Sequence, residues 1–400
     1  MSGANAFIPI AKPLLAESEM AAVTRPIRSG WVSQGPEVAA FEQEFATCVD
    51  SGHACAVSSC TAALHLALLA VGVAPGDEVI TPSHSFVAAA NAIRYCQARP
   101  VFVDIVPETF NLDPARVAAV VSNRTKAILC VHQLGMPCDL TAILAIARRH
   151  RVFVIEDAAC AIGSEIRTED RWERIGKPHG DIACFSFHPR KVVTTGEGGM
   201  LTTHNAEWDQ RFRLWRQHCM SVPDAVRHSA GKVIFEAYPN VGFNYRMTDM
   251  QAAVGREQLK RLPAIVDQRR TLGARYGELL KAIPGLETPV ELAWAKSNWQ
   301  SYCVRLPAGC EQRRVMQAML DAGIATRRGV TCAHREAAYP PGTWTCGASD
   351  TNCDCRPGEC RRLVHSEQAQ DRTIMLPLFP QMTRAQQDRV VMTLKQALRA

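Results

Sequence analysis

The sequence contains no long apolar run. No stretch of about 18 consecutive apolar residues occurs among its 400 residues, so no transmembrane helix is expected. The first segment, MSGANAFIPIAKPLLAESEM, lacks the basic region, the apolar centre and the small-residue cleavage site of a signal peptide. We therefore expect a cytoplasmic protein that does not interact with membranes.

An excess of charge of one sign is also missing. Lys and Arg total 45 and Asp and Glu total 39, which gives a formal net charge of +6. Nucleic-acid-binding proteins usually carry a clustered basic surface, whereas short basic runs such as that at 148–151 are typical of solvated helix faces. We expect no nucleic-acid partner.

Two phosphate-binding patterns are absent from the sequence. Neither GxxxxGK[ST] nor GxGxxG occurs, so a P-loop or a Rossmann dinucleotide site has no support. Internal repeats and low-complexity stretches are missing as well, which gives no support to a solenoid or a disordered linker. The hydrophobic fraction of 47% is that of an ordinary globular protein, and the length allows two domains.

Cysteine, by contrast, is abundant. Sixteen cysteines are spread through the chain, many in apolar segments, as expected of reduced, buried thiols in a cytoplasmic enzyme. A cluster in CGASDTNCDCRPGEC contains Cys346, Cys353, Cys355 and Cys360. Four thiolates could bind zinc, but paired CxxC motifs are absent. We therefore expect a disulfide or free thiols there and no metal site.

Short β-rich runs alternate with helical patterns from about residue 54 to residue 204. The runs are near-continuous apolar segments, typical of strands buried on both faces of a mainly parallel sheet. They are ACAV, DEVITP, RPVFVDI, TKAILCVHQLG, RVFVIEDAA, DIACFSFH and GGMLTTH. The alternation predicts an α/β fold with helices on both faces, and ligands in such folds bind at the carboxyl ends of the strands.

The pattern changes after residue 205 to long helical stretches, followed by a second α+β region. We place the boundary inside a long predicted helix, near residue 255. The sequence therefore predicts a large domain at 1–255 and a smaller α+β domain at 256–400.

Polar residues end two of the apolar runs. Glu156 and Asp157 end VFVIED, and Ser186, His188 and Lys191 lie in CFSFHPRK. By position alone, Asp157 could equally be a helix cap or a surface carboxylate, and Lys191 a loop lysine.

A third segment, AVSSCTAALHLAL, passes directly from a strand into a helix at Ser58, Ser59, Cys60 and Thr61. Free N–H groups at a helix start favour an anion such as phosphate, although simple N-capping would explain the same residues.

Together, the phosphate-binding turn, the acid and the lysine form the set that pyridoxal 5′-phosphate (PLP) requires. The lysine amine forms an imine with the aldehyde of PLP, and the acid keeps the pyridine nitrogen protonated. Only a neutral amine can form the imine, so we expect the pKa of Lys191 to be well below its ordinary value of about 10.4.

At this point the sequence resembles the DegT/DnrJ/EryC1/StrS family, PLP-dependent aminotransferases of fold type I that act mainly on keto sugars. The resemblance runs nearly end to end, and the lysine segment is its most specific part. The similar segments are GWVSQGPEVAAFEQEFA (30–46), TAALHLAL (61–68), GDEVITPSHSFVAAANAI (76–93), RPVFVDIVPETFNLDP (99–114), VIEDAACAIGS (154–164), FSFHPRKVVTTGEGGM (185–200), VGFNYRMTDMQAA (241–253) and LPLFPQMT (376–383).

The resemblance implies a mainly parallel seven-stranded sheet and a role for each matching residue. Lys191 matches the Schiff-base lysine and Asp157 the acid at the pyridine nitrogen. The other implied cofactor contacts are Phe86, which would stack on the ring, Cys60, Thr61 and Ser186 at the phosphate, and Asn244, which would come from the neighbouring subunit of a homodimer.

Two residues depart from the family pattern. Cys160 stands where Gln or His is common, so its cofactor contact would depend on a weakly donating thiol. Cys60 replaces a common glycine, and a backbone N–H contact would survive that change. Within the motifs, we expect supporting rather than catalytic roles for His188, Arg190 and Arg246.

The resemblance implies amine transfer from glutamate or glutamine to a nucleotide-linked keto sugar, with sites shared across a homodimer. A ketocyclitol or another keto substrate, a PLP lyase reaction and a PLP-binding regulatory protein without turnover remain as alternatives. In the segment 326–342, Arg327, Arg328 and His334 either contact an anionic substrate or belong to a solvated loop.

Overall fold

The computed structural model describes residues 6–169, 171–222, 226–227, 230–347, 355–356 and 358–399. Its helices are α1 (Glu17–Ser29), α2 (Pro36–Val49), α3 (Cys60–Ala70), α4 (Ala88–Tyr95), α5 (Pro114–Val117), α6 (Leu140–His150), α7 (Ala206–Trp215), α8 (Asp249–Leu280), α9 (Gln312–Asp321), α10 (Val364–Arg372) and α11 (Arg384–Arg399). None of these helices combines the length and the apolar run that a bilayer crossing needs.

Within the described residues the strands form three sheets. They are β1 (His53–Val57), β2 (Glu78–Pro82), β3 (Arg99–Val103), β4 (Thr125–Val131), β5 (Phe153–Asp157), β6 (Glu165–Thr168), β7 (Arg171–Arg174), β8 (Ile182–Ser186), β9 (Gly199–Thr203), β10 (Ala295–Lys296), β11 (Tyr302–Arg305), β12 (Arg327–Arg328) and β13 (Thr373–Leu376). The central sheet has seven strands in the order β1-β9-β8-β5-β4-β2-β3, and the smaller sheets have the orders β10-β6-β7 and β11-β13-β12.

The seven-stranded sheet confirms the predicted fold class. Its strands are parallel except for β9, which pairs antiparallel with both β8 and β1. Two successive antiparallel pairings give β1 the same direction as β8. The carboxyl ends of β1, β8, β5 and β4 therefore lie at the same edge of the sheet, which is where ligands bind in open α/β folds.

Apolar residues alternate between the two faces of this sheet, because successive side chains of a strand point to opposite faces. On β2 and β4, Ile80 and Ile128 belong to the core that packs against α2 and α8. Val79 and Leu129 belong to the core on the opposite face, which packs against α3. Burial on both faces explains why these strands read as continuous apolar runs.

The long helix α8 runs from the core of the sheet into a second apolar core. Leu262 and Val266 pack in the first core, and Leu272 and Leu280 pack in the second, which α9, α11, β11 and β13 complete. The predicted boundary at residue 255 lies inside this helix, and the division into two domains stays a prediction.

Glycines of the GEGG segment have two different roles. Gly196 has φ +84°, so it adopts the left-handed conformation that a tight turn behind the lysine requires. Gly199 instead allows a close approach, because a Cβ there would lie 2.5 Å from the backbone C and O atoms of Ser59. This contact holds the start of α3 against β9.

The small strands β6, β7, β10, β12 and β13 were not predicted. Each has two to four residues, too few for a period-2 pattern to stand out from the surrounding sequence.

Candidate active site

Asp157 ends β5 at the functional edge of the sheet and is 6% exposed. Its Oδ1 accepts a hydrogen bond of 3.0 Å from the backbone N–H of Ala159, and the Sγ atom of Cys60 lies 3.9 Å from the same oxygen. Burial raises the pKa of Asp157, and the Ala159 N–H and the positive charge of Lys191 oppose this effect only in part. A cationic partner would therefore stabilise the carboxylate.

Lys191 follows β8 after a turn in which its backbone N–H donates to the carbonyl oxygen of His188 at 2.8 Å. Its half-buried side chain reaches back, and Nζ donates to the Sγ atom of Cys160 at 3.1 Å. The amine also interacts electrostatically with Asp157 and Cys60. The structure thus brings four of the predicted residues into one group.

The predicted lowering of the Lys191 pKa is wrong for this arrangement. Burial lowers the pKa of Lys191, but the interaction with the sulfur of Cys160 and the carboxyl group of Asp157 outweigh burial and raise it. The expected shift depended on burial and positive neighbours, whereas the contact between the sulfur and the amine is visible only in the folded chain. A neutral amine therefore needs a positive charge nearby that offsets these groups.

The start of α3 lies beside this group. The hydroxyl of Ser59 accepts the backbone N–H of Ala62 at 3.1 Å and so caps the helix, as the alternative interpretation of this serine expected. The other N–H groups of a first helical turn have no acceptor within the helix. Those of Cys60 and Thr61 can therefore bind an anion such as a phosphate.

Ser186 and Phe86 lie at the ends of two other strands of the sheet. Ser186 ends β8 and is half-buried, and its hydroxyl lies 3.4 Å from the backbone N–H of His188. Phe86 follows β2 and is 69% exposed. An apolar ring with this exposure offers a free face on which a planar ligand can stack.

A buried histidine and glutamate joined by a hydrogen bond lie next to Asp157, and the sequence alone did not predict this pair. His132 follows β4, and its backbone N–H donates to the carbonyl oxygen of Asp157 at 3.0 Å. Its Nε2 lies 3.1 Å from Glu156 Oε2, and both side chains are fully buried. Its Nδ1 accepts the backbone N–H of Cys138, so Nε2 carries the proton that is donated to Glu156. The signal was a histidine that ends the apolar run TKAILCV.

Cationic side chains lie near the lysine. Partial burial and the positive charge of Arg327 lower the pKa of Arg190. The pKa of His188 is lowered mainly by burial. The positive charges of Arg190, Lys191 and Arg327 lower it further. These positive charges repel one another. An anionic part of a substrate that binds between them would therefore be stabilised.

The structure argues against a substrate contact for His334. This residue is 3% exposed. Its Nδ1 lies 2.6 Å from the hydroxyl of Ser83, and its Nε2 lies 3.1 Å from Glu367 Oε1. Both ring nitrogens are therefore engaged inside the protein. By contrast, Arg327 and Arg328 are exposed on β12.

Asn244 is exposed and lies on a segment that runs beside the start of α3. In this segment the carbonyl oxygen of Tyr245 accepts the backbone N–H of Ser58 at 2.8 Å, and Arg246 pairs with Val57. The segment is therefore attached to the same edge of the sheet, and the side chain of Asn244 is accessible from outside the chain.

Comparisons with known proteins agree with this geometry. The family model described as DegT/DnrJ/EryC1/StrS aminotransferase family matches residues 13–395. The spore coat polysaccharide biosynthesis protein SpsC of Bacillus subtilis (strain 168) is 41% identical over 320 residues, which are 79% of this chain and 81% of SpsC.

Solved structures show the same fold. The aminotransferase TlmJ from Streptoalloteichus hindustanus is 32% identical, with a TM-score of 0.86 over 98% of this chain and 99% of TlmJ. The structure of 3-amino-5-hydroxybenzoic acid synthase is 29% identical, with a TM-score of 0.84 over 98% of this chain and 99% of that protein.

Replacing Cys160 with alanine tests the contact between its sulfur and the lysine amine. The sulfur raises the pKa of Lys191, so its removal should let the amine lose its proton at a lower pH. The midpoint of the pH dependence of PLP capture by the apoenzyme should therefore move to lower pH. Stopped-flow absorbance after PLP addition measures this midpoint.

The matched control is Cys310→Ala, which removes a half-buried thiol outside the site. Its midpoint should equal that of the unsubstituted protein. An unchanged midpoint in Cys160→Ala, or one that moves to higher pH, would contradict the role of the sulfur.

Proposed function

Because the chain belongs to the DegT/DnrJ/EryC1/StrS aminotransferase family and is a PLP-dependent aminotransferase, we propose that it transfers an amino group from glutamate or glutamine to a nucleotide-linked keto sugar. The observation that carries the proposal is the position of Lys191 Nζ beside Cys160 and close to the buried carboxyl of Asp157. We propose that the reaction takes place in the cytoplasm.

The residues of the site fit PLP. Lys191 offers a primary amine to the aldehyde, and Asp157 offers a buried carboxyl that a protonated pyridine nitrogen would stabilise. The N–H groups of Cys60 and Thr61 and the hydroxyl of Ser186 would bind the phosphate. The exposed ring of Phe86 would cover the face of the cofactor.

In this proposal Lys191 transfers the protons of the reaction, and Cys160 orients the lysine amine. When bound, PLP supplies an electron sink for the charge that remains on Cα after its proton leaves. Lys191 Nζ removes this proton from the donor amino acid and later delivers a proton to the product side. Cys160 Sγ, at 3.1 Å from Nζ, orients the amine between these two steps.

Asp157 acts through charge rather than through proton transfer. As a carboxylate it would keep the ring nitrogen of the cofactor protonated, which strengthens the electron sink. The His132–Glu156 pair and the hydrogen bond from the His132 N–H to the Asp157 carbonyl oxygen fix the end of β5. These two buried residues are therefore proposed as positioning residues for Asp157.

The cationic group supports a nucleotide-linked substrate. Arg190 lies next to the lysine in the chain, and the charge of Arg327 lowers its pKa. A diphosphate between the two guanidinium groups would relieve their repulsion and form charge-assisted hydrogen bonds. A free ketocyclitol would leave the repulsion in place, so we favour the nucleotide-linked acceptor.

We propose further that the active sites are shared in a homodimer. Three large apolar side chains are 82%, 91% and 87% exposed in the segment that leads to Asn244, namely Val233, Phe235 and Val241. Exposed apolar side chains in one segment are typical of an interaction site. A second copy of the chain that covers this segment would receive Asn244 at its own site.

Amine transfer from ¹⁵N-labelled glutamate to a panel of nucleotide-linked keto sugars and free ketocyclitols tests the reaction. We expect the label in one amino sugar product, detected by mass spectrometry. Lys191→Ala should lower turnover by at least about 10²–10⁴-fold, because it removes the proton-transferring base. Transfer only to ketocyclitols would contradict the acceptor class, and full turnover by Lys191→Ala would contradict the site.

Mixing two inactive variants tests the shared site. If Asn244 serves the partner's site, a hybrid of Lys191→Ala and Asn244→Ala chains contains one site with both residues intact. An equimolar mixture that exchanges subunits should then recover about a quarter of the turnover of the unsubstituted protein. Each variant treated alone is the control and should recover nothing.

No recovery in the mixture would show that Asn244 serves the site of its own chain. High activity of Asn244→Ala alone would contradict any role for this residue.

A further inference from the structure

Three cysteines outside the candidate active site form a compact group, which we call the sulfur cluster: Cys346, Cys355 and Cys360. Their sulfur atoms all lie within 4.8 Å of one another. Cys346 and Cys360 are 2% and 3% exposed, and Cys355 is half-buried. We propose that the sulfur cluster is a structural zinc site.

The sulfur geometry suits a single tetrahedral ion. Zinc binds thiolates at about 2.3 Å, and the edge of a tetrahedron is about 1.63 times the centre-to-corner distance, so ligand sulfurs lie about 3.8 Å apart. The Sγ atoms of Cys346 and Cys355 are 3.8 Å apart. Tetrahedral all-sulfur sites favour zinc among the common metal ions.

Hydrogen bonds hold the backbone around the sulfur cluster. The guanidinium of Arg362 donates to the carbonyl oxygen of Cys346 at 3.3 Å. The backbone of Cys360 is held in turn, because its N–H donates to Glu367 Oε1 at 2.5 Å.

A fourth ligand completes a structural zinc site. The sulfur cluster supplies three ligands, and Cys353, which belongs to the same sequence cluster, lies outside the described residues. The spacing of these cysteines lacks paired CxxC motifs, which is why the sequence analysis expected no metal. Folding, rather than sequence spacing, brings Cys346 and Cys360 to Cys355.

The proposed site requires reduced sulfur. Cys355 is disulfide-bonded in this structure, and a disulfide cannot supply a thiolate. A dithiol reductant would supply two electrons and two protons, so that the disulfide becomes two thiols while the reductant becomes a disulfide. Zinc would then replace the thiol protons, which are released to solvent. A cytoplasm supplies such reductants.

The sulfur cluster lies next to a segment that covers the edge strand β3 of the central sheet. β3 is an edge strand, and exposed edge strands can pair with other chains. Thr345, next to Cys346, covers this edge: its N–H donates to the Pro100 carbonyl oxygen at 3.0 Å, and its carbonyl oxygen accepts the Phe102 N–H at 2.7 Å. A metal at the sulfur cluster would therefore hold this covering segment in place.

The sulfur cluster is also connected to the strand end that carries Phe86. Glu367 accepts from the Cys360 N–H and lies 3.1 Å from His334, whose other ring nitrogen lies 2.6 Å from the Ser83 hydroxyl. Ser83 directly follows β2. The zinc site would thus stabilise the β2 end as well as the edge of the sheet.

Zinc content tests the proposal. We expect about one zinc ion per chain in protein purified with a thiol reductant, measured by inductively coupled plasma mass spectrometry. Cys355→Ser should lose this zinc. The matched control Cys310→Ser, which changes another half-buried cysteine, should retain it.

A second measurement uses the unsubstituted protein, so it does not depend on the folding of a variant. Removal of zinc by a chelator should lower the melting temperature and speed the amide hydrogen exchange of the peptide that contains Phe102. Cobalt(II) added to the zinc-free protein should give the absorption of thiolate-bound cobalt.

Three outcomes would overturn the assignment. The first is that reduced protein supplied with zinc holds no more of it than Cys355→Ser does. The second is iron in place of zinc at the same stoichiometry. The third is a cluster that stays disulfide-bonded and metal-free in the presence of a dithiol reductant.

Discussion

The site depends on the burial of one carboxyl group next to one amine. Asp157 ends a strand in the middle of the sheet, so its carboxyl is almost completely removed from water. Burial makes the carboxylate costly unless a positive group faces it. Lys191 supplies part of that charge, and a protonated pyridine nitrogen would supply the rest. The need of Asp157 for a cation therefore explains how an otherwise ordinary sheet edge can bind this cofactor.

Most of the fold could be predicted from the sequence, because its strands are buried on both faces and its helices are long and periodic. α3 begins at Cys60, within the predicted passage from strand to helix, and the long helix predicted around residue 255 is α8. The aligned carboxyl ends follow from parallel pairing, and they bring the predicted Asp157 and the residues after β8 to one edge. The grouping of Lys191 with Asp157 could thus be inferred without coordinates.

The rest depends on contacts that no local pattern encodes. The hydrogen bond from Lys191 to Cys160 spans 31 residues and reverses the expected pKa shift. The contact between Ser83 and His334 spans 251 residues and turns a possible substrate ligand into an internal support. Cys160 and His334 could both be identified in the sequence as candidate site residues. Their contact partners are visible only in the folded chain.

Reduction of the holoenzyme with borohydride, followed by proteolysis and tandem mass spectrometry, tests the central claim most directly. Borohydride fixes the cofactor to the amine that holds it, so the modified peptide identifies the residue. The account predicts a pyridoxyl group on the Nζ atom of Lys191 and on no other lysine. A modified peptide from another part of the chain, or the absence of any modified peptide from PLP-loaded protein, would contradict it.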